Sequence, residues 1–154
     1  MKMLEGVKVL DFTTTAAGPL VGAYFADYGA EVIKIERPGA GDQVRTWGPM
    51  KDGESGFHAC LNRNKYGITL DLKTEEGKEV FRRLLKTAEV VCENYKVGVL
   101  EKLGFSSEAM REINPRIIDA NITGFGLHGP LAQRPCYDIV AQAMGGMMDV
   151  TGFA

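Results

Sequence analysis

The sequence predicts an α/β fold in which a parallel sheet is covered by helices on both faces. Strand-like and helix-like segments alternate along the chain, and no internal repeat or low-complexity linker interrupts them. Several strand segments are short runs of apolar and β-branched residues, which is typical of parallel strands buried on both faces. The predicted strands cover residues 7–12, 31–36, 67–72, 90–93 and 116–123. A length of 154 residues suits one domain with a substantial core.

The first strand leads into a loop of small residues at 13–18 and then into a helix. Without bulky side chains, the backbone N–H groups of the loop and of the first helical turn can approach a ligand closely. We expect the helix to begin at Gly18-Pro19, because proline at the first helical position sacrifices no hydrogen bond. Arg37 ends the second strand at the same sheet edge, where open α/β folds hold ligands. The polar, glycine-rich stretch 38–65 is predicted to be irregular, as functional loops often are. Together these features predict a site for a small anionic ligand.

The clearest helix is predicted between the third and fourth strands. Thr74 can cap its first turn, and Glu75 and Glu76 follow at the positive end of the helix dipole. An apolar stripe is expected to be buried against the sheet. The stripe consists of Val80, Phe81, Leu84, Leu85 and Ala88.

Two further helices are predicted toward the end of the chain. Ser106 or Ser107 opens the first, which must end before Pro115 because the residue before a proline disfavours helical geometry. The second covers residues 137–148, and the Gly145-Gly146 pair weakens it.

The composition argues against several classes of function. Eighteen basic and twenty acidic residues leave a net charge of −2, and without a basic run no nucleic-acid partner is expected. Cys60, Cys92 and Cys136 are scattered without the spacing of a disulfide framework, which predicts a cytoplasmic location. No apolar stretch reaches membrane-spanning length, so no membrane association is expected. His58 and His128 lack ligand-like neighbours, and no metal is expected.

The loop after the first strand also bears on nucleotide binding. A dinucleotide-binding Rossmann domain needs G-x-G-x-x-G in this turn, whereas this chain has T-T-T-A-A-G. Glu36 ends the second strand, where such domains carry a ribose-binding acid, but without the glycines it is interpreted as a strand-end residue. NAD is therefore not expected. The P-loop pattern is absent as well, which excludes P-loop chemistry.

Eight segments, in order along the chain, carry a resemblance to a known family. They are DFTTTAAGP, GAEVIKIERPGAGD with Arg45, NRNKYGITLDLKTEEGK, ENY followed by VLEKLGF, NPRIIDANITGFG, GP, RPCYDIVAQAMGG and TG. On these segments the sequence resembles class III (CaiB/BaiF-type) CoA-transferases, the family of formyl-CoA and carnitine-CoA transferases. The resemblance implies that residues 1–154 form a Rossmann-like N-terminal CoA-binding α/β domain, part of a larger domain. It also implies that the aspartate nucleophile of the family lies beyond Ala154.

The resemblance implies transfer of CoA from an acyl-CoA donor to a carboxylic acid acceptor. In the family mechanism an aspartate attacks the thioester, giving a mixed anhydride and CoA thiolate. The thiolate then forms an aspartyl-CoA thioester, from which the acceptor takes the CoA. An interlocked homodimer is also implied, with CoA or acyl-CoA as substrate. An acyl-CoA racemase of the same fold and a non-catalytic CoA-binding fragment remain as alternatives.

The resemblance further implies a set of CoA-binding residues: Thr15, Ala16, Ala17, Arg37, Leu70, Asn94 and Lys102. The Arg37 guanidinium suits a CoA phosphate, and a solvated strand-end arginine is the alternative. Leu70 matches a position near the adenine, with simple core packing as its alternative. Asn94 ends the fourth strand at the ligand edge, where a turn-forming role is also open. Lys102 is either a CoA contact or a plain surface lysine. Some relatives carry glutamine where this chain has Ala16, so no contact from that side chain is carried over.

Three charged residues near the loops have less specific assignments. Asp42 and Arg45 are expected to pair with each other and order the loop between them. Lys65 precedes the third strand and is either a phosphate contact or a surface lysine.

Tyr137 and Asp138 distinguish transfer from racemisation. Acyl-CoA racemases of this fold carry a histidine at the position matching Tyr137, where it exchanges the α-proton. A tyrosine, with a pKa near 10, is a poor acid or base for that step, which favours transfer. Asp138 matches an acid that helps to position the reacting carboxylate, or it caps the following helix. Both are assigned supporting roles, and no residue of this chain is assigned as catalytic.

Overall fold

A computed structural model describes residues 2–152. Its strands are β1 (Lys8–Asp11), β2 (Glu31–Glu36), β3 (Met50–Lys51), β4 (Glu54–Ser55), β5 (Tyr66–Thr69), β6 (Val90–Glu93) and β7 (Ile118–Asn121). Five of them form one sheet in the order β5–β2–β1–β6–β7, and every neighbouring pair is parallel. The strands β3 and β4 form a separate antiparallel hairpin. The predicted parallel α/β fold is confirmed.

The described residues also form seven α-helices and one 3₁₀ helix (Gln43–Thr46), of which the last two α-helices follow the final strand. The α-helices are α1 (Ala17–Asp27), α2 (Gly56–Leu61), α3 (Glu75–Leu85), α4 (Val99–Lys102), α5 (Ser107–Ile113), α6 (Asp138–Met144) and α7 (Met147–Thr151). Within residues 2–152, none of the helices combines the length and the hydropathy needed to cross a membrane.

The strand order reverses beside β1. From β1 the chain moves outward through β2 to β5, and it then returns to place β6 on the other side of β1. The carboxyl ends of β1 and β6 are adjacent, with Asp11 paired to Cys92. Loops that leave such a switch point in opposite directions open a crevice between them, which is where open α/β sheets bind ligands.

Alternate residues of β1 supply the cores on the two faces of the sheet. Leu10 packs into one cluster and Val9 into the other, and both are fully buried. In the larger cluster the Phe81 ring lies edge-on to Phe12 at 4.8 Å and to Phe105 at 4.6 Å between ring centroids. These contacts anchor α3 and the segment before α5 against the sheet.

The predicted start of α3 is confirmed, and its buried stripe needs one correction. The Thr74 hydroxyl accepts a hydrogen bond from the Gly77 N–H at 3.1 Å, as a helix cap does. Phe81, Leu85 and Ala88 are buried, but Val80 is 41% exposed. Val80 directly precedes Phe81, and one residue rotates the side chain by about 100° around a helix, away from the buried face.

Other boundaries also differ from prediction. α1 begins at Ala17, so Pro19 occupies the third helical position rather than the first. There, too, its missing N–H belongs to the first turn, which has no intrahelical partner. The predicted final helix is two helices, because Gly146 adopts a left-handed φ of 79° and breaks it. Ser106 caps α5, which ends before Pro115 as predicted.

Three strands are shorter than, or shifted from, the predicted ranges. β1 and β7 lose residues at both ends, and β5 begins at Tyr66 and ends at Thr69 rather than covering 67–72. The stretch 38–65, predicted to be irregular, contains the 3₁₀ helix, the hairpin and α2.

Candidate functional site

A cavity of about 930 Å³ opens at the carboxyl edge of the sheet, and we call it the edge cavity. The loop after β1, the end of β2, the loop after β6 and the segment after β7 all contribute to its lining. The cavity therefore occupies the crevice that the strand order predicts. Its volume is within the range of small-molecule sites.

Most of the predicted site residues line this cavity. They are Thr15, Ala16, Ala17, Arg37, Asn94, Tyr137 and Asp138. Leu70 is not in the lining: it is half-buried and packs against the larger core cluster. Lys102 is exposed on α4, also outside the lining. CoA contacts by Leu70 and Lys102 stay predictions.

Residues 13–15, which we call the threonine loop, are held from beneath by buried charged side chains. The Asp11 carboxylate accepts hydrogen bonds from the main-chain N–H of Thr13, at 2.9 Å, and from its hydroxyl. The Lys34 ammonium donates to the Thr13 carbonyl. Asp11, Thr13 and Lys34 are each at most 2% exposed. The base of the loop is therefore fixed without any contribution from solvent.

Asn94 holds the next residue of the loop. Its Oδ1 accepts from the Thr14 N–H, and its Nδ2 donates to the Thr14 carbonyl, each at 2.8 Å. The amide thus pairs with the backbone of Thr14 as a neighbouring strand would. The side chain lies at the cavity, as predicted, and both of its polar atoms are directed to the loop.

Asp42 holds the third residue. Thr15 has a left-handed φ of 71°, which is unfavourable for a β-branched side chain. Its N–H donates to Asp42 Oδ1 at 3.0 Å. The same carboxylate accepts from the Val44 N–H at 3.2 Å and lies 3.2 Å from the Lys34 ammonium. A buried carboxylate with these donors offsets the cost of the strained backbone.

Lys65 belongs to the interior of the protein, so both alternatives for it, a phosphate contact and a surface lysine, are wrong. Its ammonium donates to Asp11 Oδ2, to the Pro19 carbonyl and to Asn62 Oδ1, at 2.8, 2.8 and 3.0 Å. Three acceptors match the three N–H bonds of an ammonium, so none is left for a ligand. The side chain is 1% exposed. Burial lowers the pKa of Lys65, against the opposing effect of Asp11.

The predicted pairing of Asp42 with Arg45 is also wrong. Asp42 pairs with Lys34, and Arg45 forms a two-point ion pair with Glu36, both contacts at 2.8 Å. Burial disfavours ionisation of Glu36, but Arg45, the Asp42 N–H and His58 together lower its pKa to about 2. Glu36 thus organises the loop after β2 as an anion.

Unlike Lys34, Arg45 and Lys65, the cationic side chains that line the cavity are not paired with carboxylates of the described residues. Arg37, Lys96 and Arg134 contribute to the lining, and none of the three forms a salt bridge within residues 2–152. Arg37 makes one long hydrogen bond, 3.4 Å, to the Gly41 carbonyl. These positive charges make the cavity suitable for an anionic ligand.

Tyr137 and Asp138 lie at the start of α6. Tyr137 is 70% exposed and is itself the residue that precedes the helix. Asp138 is the first helical residue and accepts a hydrogen bond from the Gln142 amide, so the interpretation of Asp138 as the helix cap is wrong.

Two aromatic residues of the lining were not identified from the sequence. Trp47 lies edge-on to Phe57, with 6.1 Å between ring centroids, and Tyr95 directly follows Asn94. Burial, reinforced by Glu93, raises the pKa of Tyr95 to about 12, so its hydroxyl remains a donor. Trp47 is the single tryptophan of the chain and stands in its least regular stretch, a signal that could have drawn attention to it.

No metal site is evident in the part of the chain that the structure describes. There, no group of three or more histidine, cysteine, aspartate or glutamate side chains is arranged to hold a metal ion. Burial raises the pKa of the Cys92 thiol to about 12, which leaves it unreactive.

The chain is similar in sequence to several curated CoA-transferases. It is 47% identical over 153 residues to human succinyl-CoA:glutarate CoA-transferase, covering 99% of this chain and 35% of that protein. It is 44% identical over 149 residues to acetyl-CoA:oxalate CoA-transferase from Acetobacter aceti, covering 97% of this chain and 38% of that protein. Formyl-CoA:oxalate CoA-transferase from Rhodopseudomonas palustris is 47% identical over 155 residues, with 99% and 36% covered. The chain therefore spans little more than a third of the length of these relatives.

Solved structures and a family profile agree with these relatives. A CaiB/BaiF family protein from Brucella suis superposes with a TM-score of 0.92 at 47% identity, covering 98% of this chain and 41% of that one. A hypothetical protein from Mycobacterium tuberculosis gives a TM-score of 0.90 at 42% identity, covering 100% and 42%. A profile described as CoA-transferase family III matches residues 4–154. On these matches the chain belongs to CoA-transferase family III.

Proposed function

We propose that this protein takes part in the transfer of CoA from an acyl-CoA donor to a carboxylic acid acceptor, and that the edge cavity holds the CoA. One observation carries the proposal. The small-residue loop, the first turn of α1 and the Arg37 side chain come together at one cavity in a chain of the CoA-transferase family. Five of the seven residues that the resemblance assigns to CoA line this cavity: Thr15, Ala16, Ala17, Arg37 and Asn94.

The proposed binding mode follows from the chemistry of these groups. The first turn of α1 has main-chain N–H groups without helical partners, and the positive end of the helix dipole favours an anion. Arg37 adds a guanidinium, which forms two-point contacts with phosphate. Both features suit the phosphates of CoA, which the enzyme must retain while the acyl group is exchanged.

The proposed chemistry is covalent catalysis through an aspartyl intermediate, as the family resemblance implies. Tyr137 and Asp138 are proposed to support the reacting carboxylate from the start of α6. An acyl-CoA racemase remains the second candidate only through the shared fold, because Tyr137 is a poor proton-transfer group at neutral pH.

The acceptor is proposed to be a dicarboxylic acid. The relatives named above are described as acting on glutarate or oxalate, which are both dicarboxylates. Lys96 and Arg134 provide positive charge at the cavity in addition to Arg37. A second carboxylate on the acceptor or on the acyl group would be stabilised by such a charge.

The test is calorimetry of the full-length protein with CoA, with dephospho-CoA and NAD as controls, followed by a transfer assay with succinyl-CoA and glutarate or oxalate. CoA is expected to bind more tightly than NAD, and CoA thioesters of the acceptor acids are expected to form. Tighter binding of NAD than of CoA would contradict the proposal. Racemisation of an acyl-CoA without any transfer of CoA to an acceptor would contradict it as well.

A cytoplasmic homodimer is proposed for the full-length protein. The helices α6 and α7 contain no buried residue although they carry Ile139, Met144, Met147 and Val150, which leaves apolar surface for a partner chain or the rest of the full-length protein to cover. Apolar surface of this extent is usually covered. Light scattering coupled to size exclusion is expected to give twice the mass of one chain, and a monomer would contradict the proposal.

A further inference from the structure

The threonine loop is held in one shape by side chains from two other loops. Asn94 pairs with both backbone polar groups of Thr14, and Asp42 accepts the Thr15 N–H. The side chain of Asp42 is fully buried, and Asn94 is half-buried at the cavity. All of these hydrogen bonds are made within the protein, so the chain itself supplies the contacts that hold the loop.

These contacts occupy particular donors and leave others open. The N–H groups of Thr14 and Thr15 are both used within the protein. Those of Ala16 and Ala17, which follow immediately and line the cavity, make no hydrogen bond of good geometry within residues 2–152. The orientation of these two open donors is set by the backbone of Thr15, which has the left-handed φ of 71°. A relaxed Thr15 would turn the peptide that follows it.

We propose that Asp42 and Asn94 are positioning residues for CoA. They fix the backbone of the threonine loop before the ligand arrives, so that the donors of Ala16 and Ala17 are already oriented. Asn94 then acts on CoA through Thr14 rather than by direct contact. Pre-ordered donors bind more tightly, because the ordering cost is not met at the moment of binding. This inference rests on the proposed function.

The test compares Asn94→Ala with Asn114→Ala in the full-length protein. Asn114 likewise holds backbone through its side chain: its amide donates to the carbonyls of Leu85 and Ala88, at 2.9 and 2.8 Å, but it does not line the cavity. Both variants remove an asparagine that holds backbone, so a comparable loss of thermal stability is expected. Amide hydrogen exchange in the free protein and calorimetry with CoA then separate their roles.

Asn94→Ala is expected to raise the exchange rates of the Thr14 and Thr15 amides at least tenfold without ligand, and to weaken CoA binding about tenfold. Asn114→Ala is expected to change neither. Asp42→Asn, which keeps the side-chain shape, gives a second measurement: faster exchange at Thr15 and weaker CoA binding are expected. If Asn94→Ala does not fold, exchange at Thr15 and CoA affinity in Asp42→Asn decide the question.

Weaker CoA binding with unchanged exchange would show direct contact and overturn the inference. Faster exchange with unchanged affinity would overturn it too, because the shape of the loop would then be irrelevant to the ligand. Failure of the wild-type protein to bind CoA is a different result, since it overturns the proposed function itself.

Discussion

The Lys65 ammonium lies 2.8 Å from the Asp11 carboxylate, and neither side chain is more than 1% exposed. This pair connects the end of β1 to the segment before β5, and Lys65 also donates to the Pro19 carbonyl in α1. Gly22 leaves the room for it, because a Cβ there would lie 2.9 Å from Lys65 Nζ and overlap Asp11. The threonine loop thus rests on a buried ion pair that packs against a glycine of α1.

Lys65→Met is expected to destabilise the protein by about 3–5 kcal/mol, because it leaves the Asp11 carboxylate buried and uncompensated. The double variant Asp11→Asn with Lys65→Met removes both charges and keeps an acceptor for Thr13. It is expected to recover a large part of the loss. Urea unfolding of the four proteins in this cycle gives the coupling between the two residues.

The control for this cycle is Lys78→Met. Lys78 is also 2.8 Å from its partner, Glu75, but the Glu75 side chain is 73% exposed. An exposed pair contributes little, so only a small change in unfolding free energy is expected. An equal loss in Lys65→Met and Lys78→Met would show that burial of the ion pair is not what matters.

Glu93 is expected to make stability depend on pH. Burial, with a smaller contribution from Asp119, raises its pKa from 4.5 to about 7, against the hydrogen bond from the Tyr95 N–H. Between these two values the folded protein keeps a proton that the unfolded chain has released. The contribution of Glu93 to stability is therefore complete below about pH 4.5 and is lost as the pH rises to about 7.

Glu93→Gln removes this titration and keeps an acceptor for the Tyr95 N–H. The unfolding free energy of the variant minus that of wild type is expected to increase by about 1–3 kcal/mol as the pH rises from 5 to 8. Glu101→Gln, at an exposed position on α4, is the control. Its unfolding free energy is expected to differ from that of wild type by the same amount at every pH. A difference between Glu93→Gln and wild type that is constant with pH would contradict the assignment. Urea unfolding at a series of pH values makes the comparison.

Arg37→Ala is expected to weaken CoA binding by roughly 1–3 kcal/mol, because a charge-assisted contact to phosphate is lost. Arg37→Lys keeps the charge without the planar fork and is expected to lie between Ala and wild type. Arg111→Ala, on the exposed side of α5, serves as the control. Calorimetry with CoA measures all three, and equal affinity in Arg37→Ala and wild type would remove Arg37 from the site.

The fold was predictable because strand and helix signals are local. The strands 31–36 and 90–93 were predicted to the residue, and Thr74 and Ser106 cap their helices through contacts three residues away. The partners of the charged residues were not predictable in the same way. The contact between Lys65 and Asp11 joins positions 54 residues apart, and nothing in their sequence neighbourhoods favours it.

The same distinction applies to the site. Its location followed from the predicted parallel fold, since the carboxyl edge of a parallel sheet gathers the loops that leave its strands. The roles of individual polar residues depend on which atoms their side chains reach. Asp42 was expected to pair with Arg45, three residues away, and it pairs with Lys34 on a buried strand. Burial determines the partner of Asp42, because a Lys34 ammonium in the interior without a carboxylate beside it would be costly in free energy.

Tyr137 gives the test between transfer and racemisation. The full-length protein, incubated with a chiral 2-methylacyl-CoA in deuterated water, is expected to leave the α-proton in place, because a tyrosine is a poor base at neutral pH. Tyr137→Phe is expected to retain transfer activity within a modest factor, since at most one hydrogen bond is lost. Tyr137 is 70% exposed, so the variant is not expected to disturb the core. Mass spectrometry of the recovered thioester measures the exchange. Rapid deuterium uptake by the wild type that disappears in Tyr137→Phe would instead make Tyr137 an acid/base group and favour the racemase.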